Sequence, residues 1–495
     1  MPVASIPAPV GGWNARDSLD KMPEADAFKL VNWIPRAGFV QTRPGYIDHA
    51  IGLAGSVETL APWQGPSGNK LLAGAGGLIV DVTTSTPATL GSGFTADDWN
   101  TTNHTGRVIF CNGADTPQVY DGATLTAMIA SGVTLTQLWG AATFKGRAFY
   151  WKQNDQAFWF AAAGSYQGVL SEFRMDTQLT AGGSLVQILS WTHDAGDGID
   201  DFAVFVFSTG ETLVYQGDDP GSASAWSLIG RFQLGEPLGP RAHARVGGTE
   251  IIVTRDGYVD LSIALQDGRY SEKSAYSAKI IRASKDAANQ FKQFTGWQAL
   301  LFPAGQAFIV NVPVGLSSAK QHVRETSSGS WCEFTGWSAR VFAVLDNELY
   351  FGTPTGEVCR AWVGASDNGE RIESWGIPAF NALGSRASRK LLTSASALTN
   401  AARPESIAFD GLADFGLTLR ATVTDDPGSA AAIWDVSPWD TSAWGLGEDL
   451  VPVRATWRNL SAVGTVLTVS LRIRQRAQQI RWYSTQMQFK TTGAI

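Results

Sequence analysis

Between residues 51 and 375 the chain alternates short apolar runs with short polar turns. Segments 71–82 (LLAGAGGLIVDV), 106–122 (GRVIFCNGADTPQVYDG), 146–161 (GRAFYWKQNDQAFWFA), 202–217 (FAVFVFSTGETLVYQG) and 347–362 (NELYFGTPTGEVCRAW) share one logic. An apolar strand is followed by two to five turn residues rich in Gly, Asp and Asn, then by a strand ending on an aromatic. That is the pattern of a β-hairpin. The hairpins recur at roughly 40–60 residues, which predicts radial repetition of small antiparallel sheets. No dipeptide signature recurs at a fixed period, so the pattern does not set the number of blades. Residues 271–294 (SEKSAYSAKIIRASKDAANQFKQF) break it: they are rich in Ala and Lys, and predict a helical connection lying on the sheets. The fold class is all-β.

The two ends read differently. Residues 1–50 open in extended form on Pro2, Pro7 and Pro9. Residues 23–30 predict one or two helical turns, with Pro23 first and Glu24 and Asp26 in the first turn. A short strand is expected over 39–42, between turns at Gly38 and at Arg43, Pro44 and Gly45. Residues 376–495 return to longer alternating runs, notably 416–424 and 464–475, with a Trp/Pro/Asp-rich loop at 433–444 between them. The expected organisation is an N-terminal arm and docking segment (1–50), a β-propeller-like domain (51–375) and a C-terminal β-sandwich-like module (376–495).

Composition changes this picture little. Of 495 residues, 53 are Gly and 19 are Trp, as suits many turns and half-buried pleated faces. Charged residues are only 17%, which fits either a surface hidden in partners or a Thr/Ser/Gly-rich β surface. The net charge of −7 argues against a protein held on nucleic acid by a basic face. It is compatible with an acidic conduit past which DNA slides. The N-terminus lacks the basic region and apolar stretch of a signal peptide, and no run approaches the roughly 18 apolar residues of a membrane helix. A soluble protein made in the cytoplasm, without membrane insertion, is therefore expected. Cys111, Cys332 and Cys359 are widely spaced and predict free thiols.

Candidate chemistry is sparse. Asp194, Asp197, Asp200 and Asp201, beside His193, gather oxygens as calcium requires, but without the spacing of an EF-hand. A polar turn explains them as well. The five histidines, His49, His104, His193, His243 and His322, form no i, i+4 pair. Neither a nucleophile elbow nor a phosphate-binding loop is present. Glu211 and Glu333 are acids of the kind a glycosidase sets across a cleft; solvated strand ends are the plainer reading. Trp151, Phe158, Trp159, Trp331, Trp337 and Trp375 suit sugar stacking or, more simply, blade core. No cofactor, metal or catalytic residue is expected. Arg472, Arg474 and Arg476 alternate along one strand face, where three arginines need acidic partners. They are candidates for contact with a neighbouring subunit, against a solvated face paired within its own sheet.

The N-terminal stretch 11–46 (GGWNARDSLDKMPEADAFKLVNWIPRAGFVQTRPGY) carries a specific likeness. Gly11, Gly12, Asn14, Arg16, Asp17, Asn32, Trp33, Arg43, Gly45 and Tyr46 resemble the opening of the tail tubular and nozzle proteins of short-tailed bacteriophages. Residues 208–242 look like a blade of the same family through Val214–Gly217, Asp219, Pro220, Trp226, Pro237, Leu238, Gly239 and Arg241. The likeness spans about the first three-quarters of the chain. It implies a virion protein that forms a homohexameric ring below the portal and adaptor, extends the channel for the genomic double-stranded DNA, and anchors fibres or spikes. Trp13, Arg16, Asp17 and Trp33, with the three arginines, are then candidate subunit or adaptor contacts. The competing expectation is a glycan-binding or glycan-cleaving propeller of the tail-spike or lectin kind.

Overall fold

The computed structural model describes residues 1–66, 68–194, 199–267, 271–272, 275–400, 407–423, 454–476 and 478–494. Its centre is a ring of small antiparallel sheets. Their first strands begin at Val57, Asn100, Leu138, Leu185, His243, Gln298 and Val341, so seven blades follow one another among the described residues. Each first strand lies against the next blade, and Val341–Leu345 closes on Val57–Gly65. The uneven starts explain why no fixed period is visible in the sequence.

Turn chemistry builds the blades. Gly76 and Gly77, Thr105 and Gly106, Lys145 and Gly146, and Asp346 and Asn347 are pairs of left-handed residues. Two such residues in succession give the hairpin turn whose twist matches that of the flanking strands. Blade five has three described strands and then leaves the sheet pattern: Leu261–Asp267 and Ile281–Phe291 are helices. The second occupies the middle of the predicted helical connection and buries Ile281, Ser284, Ala287 and Ala288.

Blade seven is completed from the other end of the chain. Gly45–Ala50 pairs antiparallel with Val358–Val363 and becomes the outermost strand of Val341–Leu345, Glu348–Gly352 and Val358–Val363. The ring is thus closed by hydrogen bonds between early and late residues.

The C-terminal residues form two facing sheets. One holds Ser388–Thr399, Arg454–Gly464 and Arg481–Ala494; the other holds Glu370–Pro378, Ile407–Ala413 and Leu467–Gln475. Leu392, Ala395 and Ala397 meet Phe409, Val469, Leu471 and Ile473 in one buried cluster. This is sandwich packing, but the module is not made from the C-terminus alone. Val3–Pro7 and Phe39–Thr42 pair with Arg481–Ala494, and Asp26–Val31 pairs with Glu370–Pro378. Val3–Pro7, Asp26–Val31 and Phe39–Thr42 are therefore strands joined to the sandwich, and the position expected to divide arm from propeller falls just after a blade strand.

Two local expectations are corrected. Residues 23–30 are not helical: Asp26–Val31 is a strand, held antiparallel to Glu370–Pro378 and bridged in parallel to Trp331–Phe334. Pairing on both sides outweighs the helix-start signals. Residues 416–423 are not a strand; Ile407–Ala413 is, and it ends where Asp414 and Phe415 both take left-handed φ. The loop expected at 433–444 lies outside the described residues.

Candidate functional site

The residues that carry the N-terminal likeness converge on the seam between propeller and sandwich. Gly12 has φ +82°, and a Cβ there would lie 2.6 Å from the Trp331 carbonyl oxygen; a Cβ on Gly11 would lie 2.0 Å from Asp26 Oδ1. Only glycine lets the strand approach so closely. Asn14 is buried. Its Nδ2 donates to Asp17 and Asp26 at 2.8 Å, and its Oδ1 accepts the backbone N–H groups of Arg16 and Asp17 at 3.0 Å. Asp26 is also paired with Lys279, at 2.7 Å, from the turn leading into the second helix. Hydrogen bonds from Arg16 and then Asn14 hold the Asp17 carboxyl down at about 2.

A second knot lies at Arg43, which is wholly buried. Its Nε donates to Asn32 Oδ1, Nη1 to Pro44 O and Asp367 Oδ1, and Nη2 to Thr335 O and Asp367 Oδ2. All five guanidinium donors are used, and the plane sits 5.1 Å from the Trp337 ring centroid. Asn32, at φ 58°, also donates to Thr335 and to the Glu373 carbonyl. A Cβ on Gly45 would lie 1.7 Å from the Ser366 carbonyl oxygen. Tyr46 packs edge-on against Phe351 at 5.1 Å.

Trp13 and Trp33, expected at an interface, are corrected by this geometry. Trp13 is 3% exposed, beneath Lys29 and against His322; Trp33 is fully buried against Trp482. Neither can touch a partner, because the chain's own core covers them. Arg16 is exposed and Asp17 half-buried.

Glu333 sits in a third polar group. Its Oε1 is 2.8 Å from Lys29 and its Oε2 is 3.3 Å from Lys320 and 3.9 Å from His322 Nε2. Burial pushes Glu333 up, but the ammonium groups of Lys29 and Lys320 hold it below the usual carboxylate range. Burial, then Lys320, drives His322 down to about 3, so it stays neutral, with Tyr258 Oη 2.7 Å from its Nδ1. Glu211, in blade four, accepts the backbone N–H groups of Thr180 and Ala181 and the Thr180 hydroxyl. The two acids lie in different blades, each engaged by its own partners.

Arg472 and Arg474 flank Glu373 on the adjacent strand, at 3.5 and 3.0 Å. Arg476 lies past the end of Leu467–Gln475 and is exposed, so the expected face of three arginines is a face of two. Trp151, Phe158, Trp159, Trp331 and Trp337 are buried core residues, and Trp375 is half-buried. Cys111, Cys332 and Cys359 are buried free thiols, each pushed up by burial. Asp197 and the side chains of His193, Asp194 and Asp200 lie outside the described residues, which leaves the candidate cation loop undescribed. Among the described residues, no cluster of His, Cys, Asp or Glu is arranged for a metal, and no helix is long and apolar enough to cross a membrane.

Sequence reasoning missed Asp367, Glu373, Asp26 and Lys279, the partners that give Arg43, Arg474 and Asn14 their roles. No local signal marks them, since Asp367 and Arg43 are 324 residues apart. It also missed the cavity at the ring centre, of about 500 Å³, walled by the first strands of the blades.

The chain matches no protein-family model and no curated protein. Solved structures with a loose likeness include BamB from Moraxella catarrhalis (10% identity, 73% of this chain and 98% of that one, TM-score 0.35). Another is YCF48 bound to D1 peptide (8% identity, 65% and 98%, TM-score 0.38). A third is BBS1N in complex with a partner (9% identity, 66% and 99%, TM-score 0.40). At these scores the likeness carries no functional argument, and the blade assignment stands on this chain's own sheets.

Proposed function

We propose that the chain is a structural protein of a short-tailed phage tail, the nozzle ring that extends the DNA channel below the portal and adaptor. The observation that carries this reading is the N-terminal stretch. Residues that resemble the family's opening, from Gly11 to Tyr46, are the ones that fasten the first strands to blades six and seven and to the sandwich. Fastening of this kind suits a ring that bears load. The reading is a homohexamer, docked on an adaptor above and holding fibres or spikes, with no catalytic residue, cofactor or metal.

In this reading DNA travels along the axis between copies, not through a propeller. A cavity of about 500 Å³ lies within the range of roughly 300–1,000 Å³ typical of small-molecule pockets. A duplex does not fit it. The net charge of −7 supports passage without adhesion.

The test is assembly. Native mass spectrometry and negative-stain imaging of the protein, alone and with purified portal and adaptor, should give rings of six. Failure to assemble on that template, with the protein absent from the tails of purified virions, would end the proposal.

A further inference from the structure

The joint between the N-terminal strands and the helical connection gathers an amine, a carboxylate and a carboxamide in one group. Backbone contact sets it up: the Ala15 N–H donates to the Lys279 carbonyl at 3.0 Å, which brings the two stretches side by side. The Lys279 ammonium donates to the Gly11 carbonyl at 2.5 Å and to Asp26 Oδ1 at 2.7 Å. The other oxygen of that carboxylate, Oδ2, accepts from Asn14 Nδ2 at 2.8 Å. Asp26 therefore touches the amine and the amide at once. Asn14 and Asp26 are buried, and the Lys279 side chain is 28% exposed.

The carboxamide is also set for attack. Asn14 Oδ1 accepts the N–H groups of Arg16 and Asp17, each at 3.0 Å. These bonds close a turn, and they also aim two donors at the oxygen on which negative charge gathers when a nucleophile adds to Cγ. Asn14 Nδ2 is held by Asp17 Oδ2 as well, at 2.8 Å, which fixes the plane of the amide. In so dry a site an ion pair gives up its proton more easily than at a surface, because a neutral amine and a neutral acid need less solvation.

We propose that Lys279 and Asn14 join in an isopeptide bond, with Asp26 carrying the protons. Asp26 takes a first proton from the ammonium, and the neutral amine adds to Asn14 Cγ. The two backbone N–H groups hold the charge on Oδ1. Asp26 then delivers its proton to Nδ2 and takes the second from Nζ. The Nζ–Cγ bond forms, the Cγ–Nδ2 bond breaks, and the nitrogen leaves with Asp26's last proton as ammonium. No oxidant or other reactant is consumed, and the fold itself supplies the proximity. The product ties the strand at Gly12–Trp13 covalently to the turn before the second helix. The step needs one folded chain only, so it can fail while rings form and succeed where they do not.

Mass spectrometry of the denatured full chain tests this. The wild type should be lighter than its sequence by one ammonia, and digestion should give a branched peptide joining Asn14 to Lys279. Lys279→Arg keeps a positive charge beside Asp26, but a guanidinium stays protonated and does not attack, so the full mass should return. Asp26→Asn removes the proton carrier and should do the same. Circular dichroism checks that each variant folds, and the wild-type mass stands without either. A wild-type chain of full mass, with no branched peptide, overturns the proposal. So does an ammonia loss that survives in Lys279→Arg, which marks cyclisation of an asparagine onto its own backbone instead. A branched peptide formed equally in Asp26→Asn overturns it too.

Discussion

Blades three and four are joined by rings, whereas the propeller and the sandwich are joined by ions and amides. Between the two blades, Phe158 stacks on Phe205 at 4.8 Å, Phe173 meets Tyr215 edge-on at 5.7 Å, and Phe149 meets Trp226 edge-on at 6.2 Å. At the seam, Arg43, Asp367, Asn32, Asn14 and Asp26 do the joining, through hydrogen bonds of about 3 Å or less. Apolar contact is non-directional and accepts another side chain of similar volume. A buried guanidinium with five fixed acceptors accepts no other residue. The seam therefore writes identities into the sequence, and the blades write only a pattern.

The largest effects should come from removing one member of each kind. Arg43→Ala strands Asp367 and should destabilise the protein by ~3–5 kcal/mol. Phe205→Ala should lose a similar ~3–5 kcal/mol by opening a cavity. Conservative replacements separate the two. Phe205→Leu should recover most of the loss, whereas Arg43→Lys should recover little, because an ammonium cannot span Asp367, Asn32 and Thr335 at once. Urea unfolding of the four variants measures this. An Arg43→Lys protein as stable as the wild type would show that identity at the seam does not matter.

Gly45→Ala is the next step down. Its Cβ would meet the Ser366 carbonyl, and either the strand that completes blade seven or the 366–367 strand must shift. The expected loss is ~1–3 kcal/mol. Gly38 is the contrast: unlike Gly45 its φ is positive, at +83°, but a Cβ there meets nothing within 4 Å. Gly38→Ala should therefore show only the backbone strain of a left-handed residue, about 1 kcal/mol. Thermal unfolding of both distinguishes closure of the ring from strain alone.

These positions also show what could be read beforehand. Alternation and turn residues predicted all-β blades, because strand and hairpin chemistry is local. The Arg43, Pro44 and Gly45 cluster was read as a turn. Its role in fixing the sandwich and blade seven was not legible, since Asp367 and Ser366 arrive from far along the chain. Residues 23–30 misled for the same reason: Pro23, Glu24 and Asp26 are good helix-start residues, yet Asp26–Val31 is claimed by strands on both sides. Ring closure by Gly45–Ala50 was hidden too, because its hydrogen bonds are set by register with Val358–Val363. The central cavity left no trace, as its wall is assembled from a few residues of each blade, far apart along the chain.

His322 lets pH probe the seam without altering its charges by mutation. Its folded-state value, near 3, lies below the ordinary 6.5. The unfolded chain thus takes up the proton first, and stability is full above about 6.5 and falls as the pH drops from there toward 3. Between pH 7 and pH 5 the loss should be ~2 kcal/mol. His322→Gln should flatten this slope whatever it does to stability at pH 7. Denaturant midpoints at several pH values read it directly. An unchanged slope in the variant would place the titrating group elsewhere.

The smallest effect on the single chain should come from the arginine pair, and there the two kinds of joining can be separated from assembly. Glu373 and Arg474 are both more than a third exposed, so water screens them, and Glu373→Gln should change stability by less than ~1 kcal/mol. The double variant Arg472→Glu with Arg474→Glu sets three carboxylates side by side and should lose more, ~1–2 kcal/mol, without unfolding the monomer. Assembly distinguishes two roles. If the proposed hexamer forms and the pair serves only Glu373, both variants should leave its population alike. If it also meets acidic groups of a neighbouring copy, charge reversal should lower the fraction of rings while Glu373→Gln leaves it unchanged, and salt should weaken the wild-type ring. Native mass spectrometry of the two variants over a salt series decides between a pair that belongs to its own sheet and one that also belongs to the ring.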